Sequence, residues 1–212
     1  MCEEDPASCK KLTPAEELKA KIKDQYNWDI KGSFTLKELK TIYQTGQDIE
    51  TYVDGISGGK GQEWMLRMLG NTTIEHGYFD DGHSDAWPFL GNNFESRIRL
   101  NENWLNDGWG AKVVFAHELG HIYDINSSFA ASYLINLDLG GEGVDLFSPP
   151  GSQVPRWASD YHDGYGNSGR NEYFAEAFSA TIYDRSNAPT GVAEWIDSKF
   201  SNLLYFNPWV RP

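Results

Sequence analysis

The sequence predicts an α+β fold: helices first, then a small mixed sheet, then a central apolar helix and a mainly helical C-terminal part. Three observations predict it. Helix-start signals and apolar residues at helical spacing dominate residues 13 to 70. Between 71 and 100 the texture changes to short β-branched or alternating runs bounded by Gly and Asn. Helical patterning then returns near 109–126, 171–184 and 192–204. The chain has 212 residues, 40% of them hydrophobic, enough to bury a real core. It divides into a helical lobe at 1–70 and a second part at 71–212, or forms one domain over 13–212.

Residues 1–12 read as a frayed arm. Both cysteines of the chain, Cys2 and Cys9, lie in it, at a spacing that permits a local disulfide and does not suit a metal site. Thr13-Pro14-Ala15-Glu16 is a helix start, with a Thr cap, Pro at the first helical position and Glu completing a capping box. That helix should run to about Tyr26. Thr35 and Glu38 repeat the box, and Leu36, Leu39, Ile42, Tyr43, Ile49 and Val53 continue at helical intervals, with Gly46 as the expected break into two helices. Gly58, Gly59 and Gly61 form a loop before a short helix carrying Trp64, Leu66 and Met68. Thr72–Ile74 and Arg97–Leu100 read as strands, separated by a polar, Gly-rich loop. The segment from Trp109 to Asn126 is apolar on most sides, so it belongs at the centre of the protein. Residues 138–169, rich in Gly, Pro and Ser, should be mostly loop.

Composition narrows the function classes. The formal net charge is -13 and no Lys/Arg run is present that could follow a phosphate backbone, so nucleic acid is not expected as a partner. No apolar run approaches the roughly 18 residues that a membrane span needs. The opening Met1-Cys2-Glu3-Glu4-Asp5 is acidic where a leader would be basic and then apolar, so it does not read as a signal peptide; the chain is expected to begin after a removed leader, as in a secreted protein, and to be a monomer. Cys2 leaves a lipid-anchored surface form open. Aromatic residues make up 14% of the chain, which fits a packed core plus a cleft with aromatic walls.

The stretch FAHELGHIYD places His117 and His121 four apart with Glu118 between them. A helix turns once in 3.6 residues, so the two imidazoles share one face and can reach a single metal, as zinc accepts histidine. Glu118 is offset by about 100° from His117, which removes it from the ligand face and sets it beside a water at the metal, where a general base belongs. The competing reading is an ordinary helix with two satisfied histidines. It would place imidazoles and a carboxylate in an apolar core, at a cost of several kcal/mol unless they are paired. A third ligand must come from downstream. In NEYFAEAF, Glu172 and Glu176 share a helix face opposite Phe174 and Phe178; one can ligate while the other accepts the N–H of a ligating histidine. His162, Asp124 and Asp145 are rivals for the third position. Asp80, Asp81, His83 and Asp85 cluster in a loop without the EF-hand pattern and read as polar loop rather than a second metal site. His76 has no assigned role.

HELGH at 117–121 joined to the later NE-x-x-x-E helix resembles the gluzincin metallopeptidases. More narrowly, Tyr165-Gly166 followed by Asn171-Glu172-Tyr173-Phe174-Ala175-Glu176-Ala177-Phe178 is similar to the catalytic domain of anthrax lethal factor and the bacterial Pro-Pro endopeptidases. The resemblance covers mainly residues 110–182. It implies a zincin-like fold, a zinc ion (Zn2+) held by His117, His121 and Glu172, Glu176 as second-sphere neighbour, and Tyr165, seven residues before Glu172, as oxyanion stabiliser. It also implies a peptide or protein substrate and an extracellular role.

The expected chemistry is hydrolysis of a peptide bond by a metal-activated water, with Glu118 as general base. Arg97, Ile98, Arg99 and Leu100, just upstream of the metal helix, are read as an edge strand for pairing with an extended substrate, or equally as a structural edge protected by charge. The alternative from another class is a non-catalytic zinc-binding interaction module or lapsed peptidase. Intact Glu118 and Tyr165 favour catalysis, since structural zinc normally has four protein ligands and needs no base. Hydrolysis of a different amide, as in a cell-wall peptide, stays open.

Overall fold

The computed structural model describes residues 11–77, 84–89, 95–106, 110–127, 130–140, 170–188 and 191–201. Helix α1 (Pro14–Tyr26) opens on the expected capping box: the Thr13 hydroxyl accepts the Glu16 N–H at 3.2 Å, and the Thr13 N–H donates to the Glu16 carboxylate at 2.7 Å. Asn27 ends it in the left-handed conformation, φ 55°, and β1 (Trp28–Ile30) follows directly. Helix α2 (Leu36–Ser57) starts on the Thr35/Glu38 box. The expected break at Gly46 does not occur; α2 passes through it unbroken. A Cβ at Gly46 would lie 2.6 Å from the Tyr26 ring. This glycine makes room for α1 against α2 rather than ending a helix. Helix α3 (Gly61–Met68) completes this part.

The sheet contains β2 (Thr72–Gly77), β3 (Asp85–Phe89) and β4 (Glu95–Asn101) beside β1, in the order β1-β2-β4-β3. The first three in that order are parallel and β3 is antiparallel to β4. Strands β1 and β3 are additions to the two expected. Three residues are too few for β1 to show a period, and Pro88, which has no N–H, disguises β3 while suiting an outer strand.

The edge-strand reading of Arg97, Ile98, Arg99 and Leu100 is corrected here. Strand β4 pairs with β2 on one side and β3 on the other, so its main chain is already used. Ile98 and Leu100 are fully buried on the core face. Arg97 and Arg99 alternate to the other face, where Arg97 lies 3.4 Å from Glu75 and Arg99 2.7 Å from Asp85. The two charges serve neighbouring strands and do not protect an edge.

After a 3-10 turn at Trp104–Asn106 come α4 (Ala111–Asn126), α5 (Ala130–Gly140), α6 (Arg170–Tyr183) and α7 (Val192–Ser201). Helix α4 is the shared wall. Its most extensive packing is against α6, and it also meets β3, α2 and β4. Residues Phe115 to Gly120 are all buried, as the apolar pattern requires. Tyr123 stacks on Trp64 and Phe174, centroids 5.4 and 5.6 Å away, and Phe115 meets Trp28 edge-on at 5.7 Å. One buried apolar cluster extends from Ile22 in α1 to Phe200 in α7.

Helix α5 overlaps the start of the expected 138–169 loop; the rest of that loop, 141–169, lies outside the described residues. Two of its first-turn donors are met from the end of α4 and its C-cap: the Asp124 carboxylate accepts the Ser132 N–H at 2.8 Å, and Ser127 Oγ accepts the Ala131 N–H at 3.2 Å. Among the described residues, no helix is long and apolar enough to cross a membrane.

Candidate metal centre

The HELGH segment lies in the middle of α4, so His117 and His121 are one turn apart, with rings nearly perpendicular and centroids 4.7 Å apart. Their Nε2 atoms stand 3.0 Å from each other. Glu172, in the first turn of α6, brings Oε2 to 3.3 Å from His117 Nε2 and 3.2 Å from His121 Nε2. Among the described residues, these three side chains form a group able to hold a metal ion.

The triangle can be tested against metal geometry. Ligand atoms about 2.0–2.1 Å from a shared ion, at tetrahedral angles, lie about 3.3 Å from one another. The observed edges of 3.0, 3.2 and 3.3 Å are close to that. Two imidazole nitrogens and one carboxylate oxygen are also a donor set that zinc accepts, with a fourth position left over. The residues therefore fit the group.

Burial shapes the electrostatics. Removal from water opposes a charge on His117, but Glu176 and Glu172 outweigh it and hold the imidazole well above its ordinary basicity. For Glu172, burial favours the neutral acid; hydrogen bonding to His117 and His121 overcomes this and holds the carboxyl well below its usual range. Glu176 is fully buried, with Oε1 3.2 Å from His117 Nδ1. Burial pushes its carboxyl up against the opposing pull of His117. With an ion bound between His117, His121 and Glu172, a carboxylate at Nδ1 would favour the tautomer that leaves the Nε2 lone pair for that ion.

Glu118 points elsewhere on the same turn. It is 4% exposed, and among the described residues its Oε2 has no hydrogen-bond partner. Burial pushes its carboxyl up to about 7; His117 and His121 pull it down, while Glu172 and Asp85 add to the rise. A buried, unpartnered carboxylate oxygen is rare in native proteins and costly, and it asks for a water or an ion.

The sequence left open whether Glu172 or Glu176 ligates. The structure puts Glu172 at the Nε2 side and Glu176 at the Nδ1 side of His117. Asp124 is committed to α5 instead. Asp85 pairs with Arg99 on β3 and β4, and His76 lies 2.8 Å from Glu38 and packs on Phe34 with centroids 4.1 Å apart. Tyr165, His162, Asp145, Asp80, Asp81 and His83 lie outside the described residues. Sequence reasoning missed β3, an outer strand packed on α4 whose Asp85 charge acts on Glu118. Its one local signal was the Ala86-Trp87-Pro88-Phe89 run, which the proline obscured. No protein-family model matches the chain, and comparison with curated proteins gives no match.

Proposed function

We propose that this protein is a zinc-dependent endopeptidase of the gluzincin type. The observation that carries the reading is the convergence of His117, His121 and Glu172 beside a buried Glu118, whose Oε2 has no hydrogen-bond partner among the described residues. His117, His121 and Glu172 would hold the ion, and Glu176 would fix the His117 tautomer. When bound, zinc acidifies water toward neutrality and polarises a carbonyl oxygen. Glu118 takes the proton of the attacking water on Oε2 and passes it to the leaving amine. Its raised proton affinity suits that exchange near neutral pH, and the charge of a bound dication brings the carboxylate form within reach.

The resemblance to the lethal-factor and Pro-Pro endopeptidase group supports assigning Tyr165 to the developing oxyanion. Such a donor is commonly worth about 10²–10³ in rate. An extended substrate would pair with β3, the outer strand next to α4, rather than with β4.

The test is zinc content together with cleavage of a mixed peptide library, for the native chain and Glu118→Ala in parallel. Zinc in both, with cleavage only by the native chain, is the expected result. Zinc in both with cleavage in neither would favour a binding module. No zinc in either would sink the assignment of His117, His121 and Glu172.

A further inference from the structure

We infer that Gly120 is a positioning residue for the metal centre: by letting α6 approach α4 closely, it sets the reach of Glu172 toward His117 and His121. The inference rests on the metal-centre reading and concerns how the triangle is held together.

Gly120 lies between the two histidines on α4, and the residue it faces, Ala175, lies between Glu172 and Glu176 on α6. A Cβ at Gly120 would come 2.9 Å from Ala175 Cα, 3.2 Å from Phe178 Cβ and 3.3 Å from the Ala175 carbonyl oxygen. These atoms belong to the backbone or are attached directly to it, so none can swing aside as a side-chain tip would. Ordinary carbon–carbon contact begins at about 3.5 Å. A methyl group here would therefore drive α6 back by roughly half an ångström, whereas metal–ligand distances tolerate about 0.2 Å.

The retreat cannot be absorbed easily nearby. Glu176 is fully buried against His117, and Phe174 and Phe178 both stack on Tyr123. Glycine inside a helix is less favourable than alanine, so the position loses helix stability for the sake of this approach.

Gly46 offers a control away from the site. A Cβ there would lie 2.6 Å from the buried Tyr26 ring, a side-chain clash at the α1–α2 contact, on elements that carry none of the three ligands. The experiment measures zinc and cadmium affinity by competition with a chromophoric chelator. It uses the native chain, Gly120→Ala, Gly46→Ala and Glu172→Asp, each checked for folding by circular dichroism. Gly120→Ala should bind zinc at least tenfold more weakly, with a smaller loss for the larger cadmium ion. Gly46→Ala should bind both metals as the native chain does. Glu172→Asp, which withdraws the ligand by one methylene on an unmoved helix, should reproduce the Gly120→Ala pattern.

Native zinc affinity in folded Gly120→Ala, or an equal loss in Gly46→Ala, would overturn the inference. Should Gly120→Ala fail to fold, native affinity in Glu172→Asp would overturn it by showing slack in the ligand's reach. A native chain that binds neither metal would remove the metal centre itself. A native chain that binds, with unchanged affinity in Gly120→Ala, would remove only the spacer role.

Discussion

Replacing Glu38 by alanine should cost about 2.5–4.5 kcal/mol of stability, summed from the groups it leaves behind. Glu38 is 5% exposed and receives four donors. Oε2 accepts the Thr35 N–H at 2.7 Å and the Thr35 hydroxyl at 2.8 Å. Oε1 meets His76 Nε2 at 2.8 Å and the Trp104 indole N–H at 3.2 Å. One carboxylate thus ties the start of α2 to β2 and to the 3-10 turn before α4. Removing it strands the buried Trp104 N–H, at about 1–3 kcal/mol. It halves the capping box, about 1 kcal/mol, and dissolves a half-exposed pair with His76, about 0.5 kcal/mol.

Urea unfolding of the native chain and Glu38→Ala would show the loss as a lower midpoint at unchanged slope. The pH dependence carries a sign. Burial raises the Glu38 carboxyl, but the Thr35 backbone and hydroxyl, His76 and Trp104 together outweigh it and leave it lowered. A depressed folded-state value means stabilisation present above the ordinary carboxyl pKa, about 4.3, and lost as pH falls through the folded value. The stability gap between the native chain and Glu38→Gln should therefore persist above that pH and close below it. A loss under about 1 kcal/mol for Glu38→Ala would refute the summation, because even the stranded indole N–H alone should cost that much.

Two further outcomes concern the metal centre. Glu176→Gln should lower zinc affinity about 10–100-fold without unfolding the chain, because Nδ1 of His117 loses a basic partner; a chelator-competition titration measures it, and unchanged affinity would deny Glu176 that role. Chelation should lower the thermal midpoint of the native chain, since zinc at 100 times its dissociation constant adds about 2.7 kcal/mol. Calorimetry with and without chelator should show no such difference for His121→Ala.

Local features were legible wherever a short-range rule decides the outcome. Both capping boxes formed at Thr13 and Thr35, because a cap is satisfied within four residues and needs no distant partner. The sharing of one face by His117 and His121 followed from helix pitch alone. Gly46 was misread because glycine is only weakly helix-breaking, and its role depends on Tyr26, twenty residues away. Strand β4 was misread as an edge because the alternation of Arg97, Ile98, Arg99 and Leu100 reports which face is buried and says nothing about which strands lie alongside.

The sequence by itself determined the starts of α1 and α2, the apolar character of α4, and a pair of histidines able to meet on one face. Each is a property of neighbours along the chain. Only the tertiary structure decided that Glu172 faces Nε2 while Glu176 takes Nδ1, and that Glu118 Oε2 has no partner among the described residues. It alone also put β3, not β4, on the outside of the sheet. Those outcomes depend on how closely and at what rotation α6 meets α4, and on which strands pair. Both are settled by packing between segments far apart in the chain, as with His121 and Glu172, 51 positions apart, which no local pattern encodes.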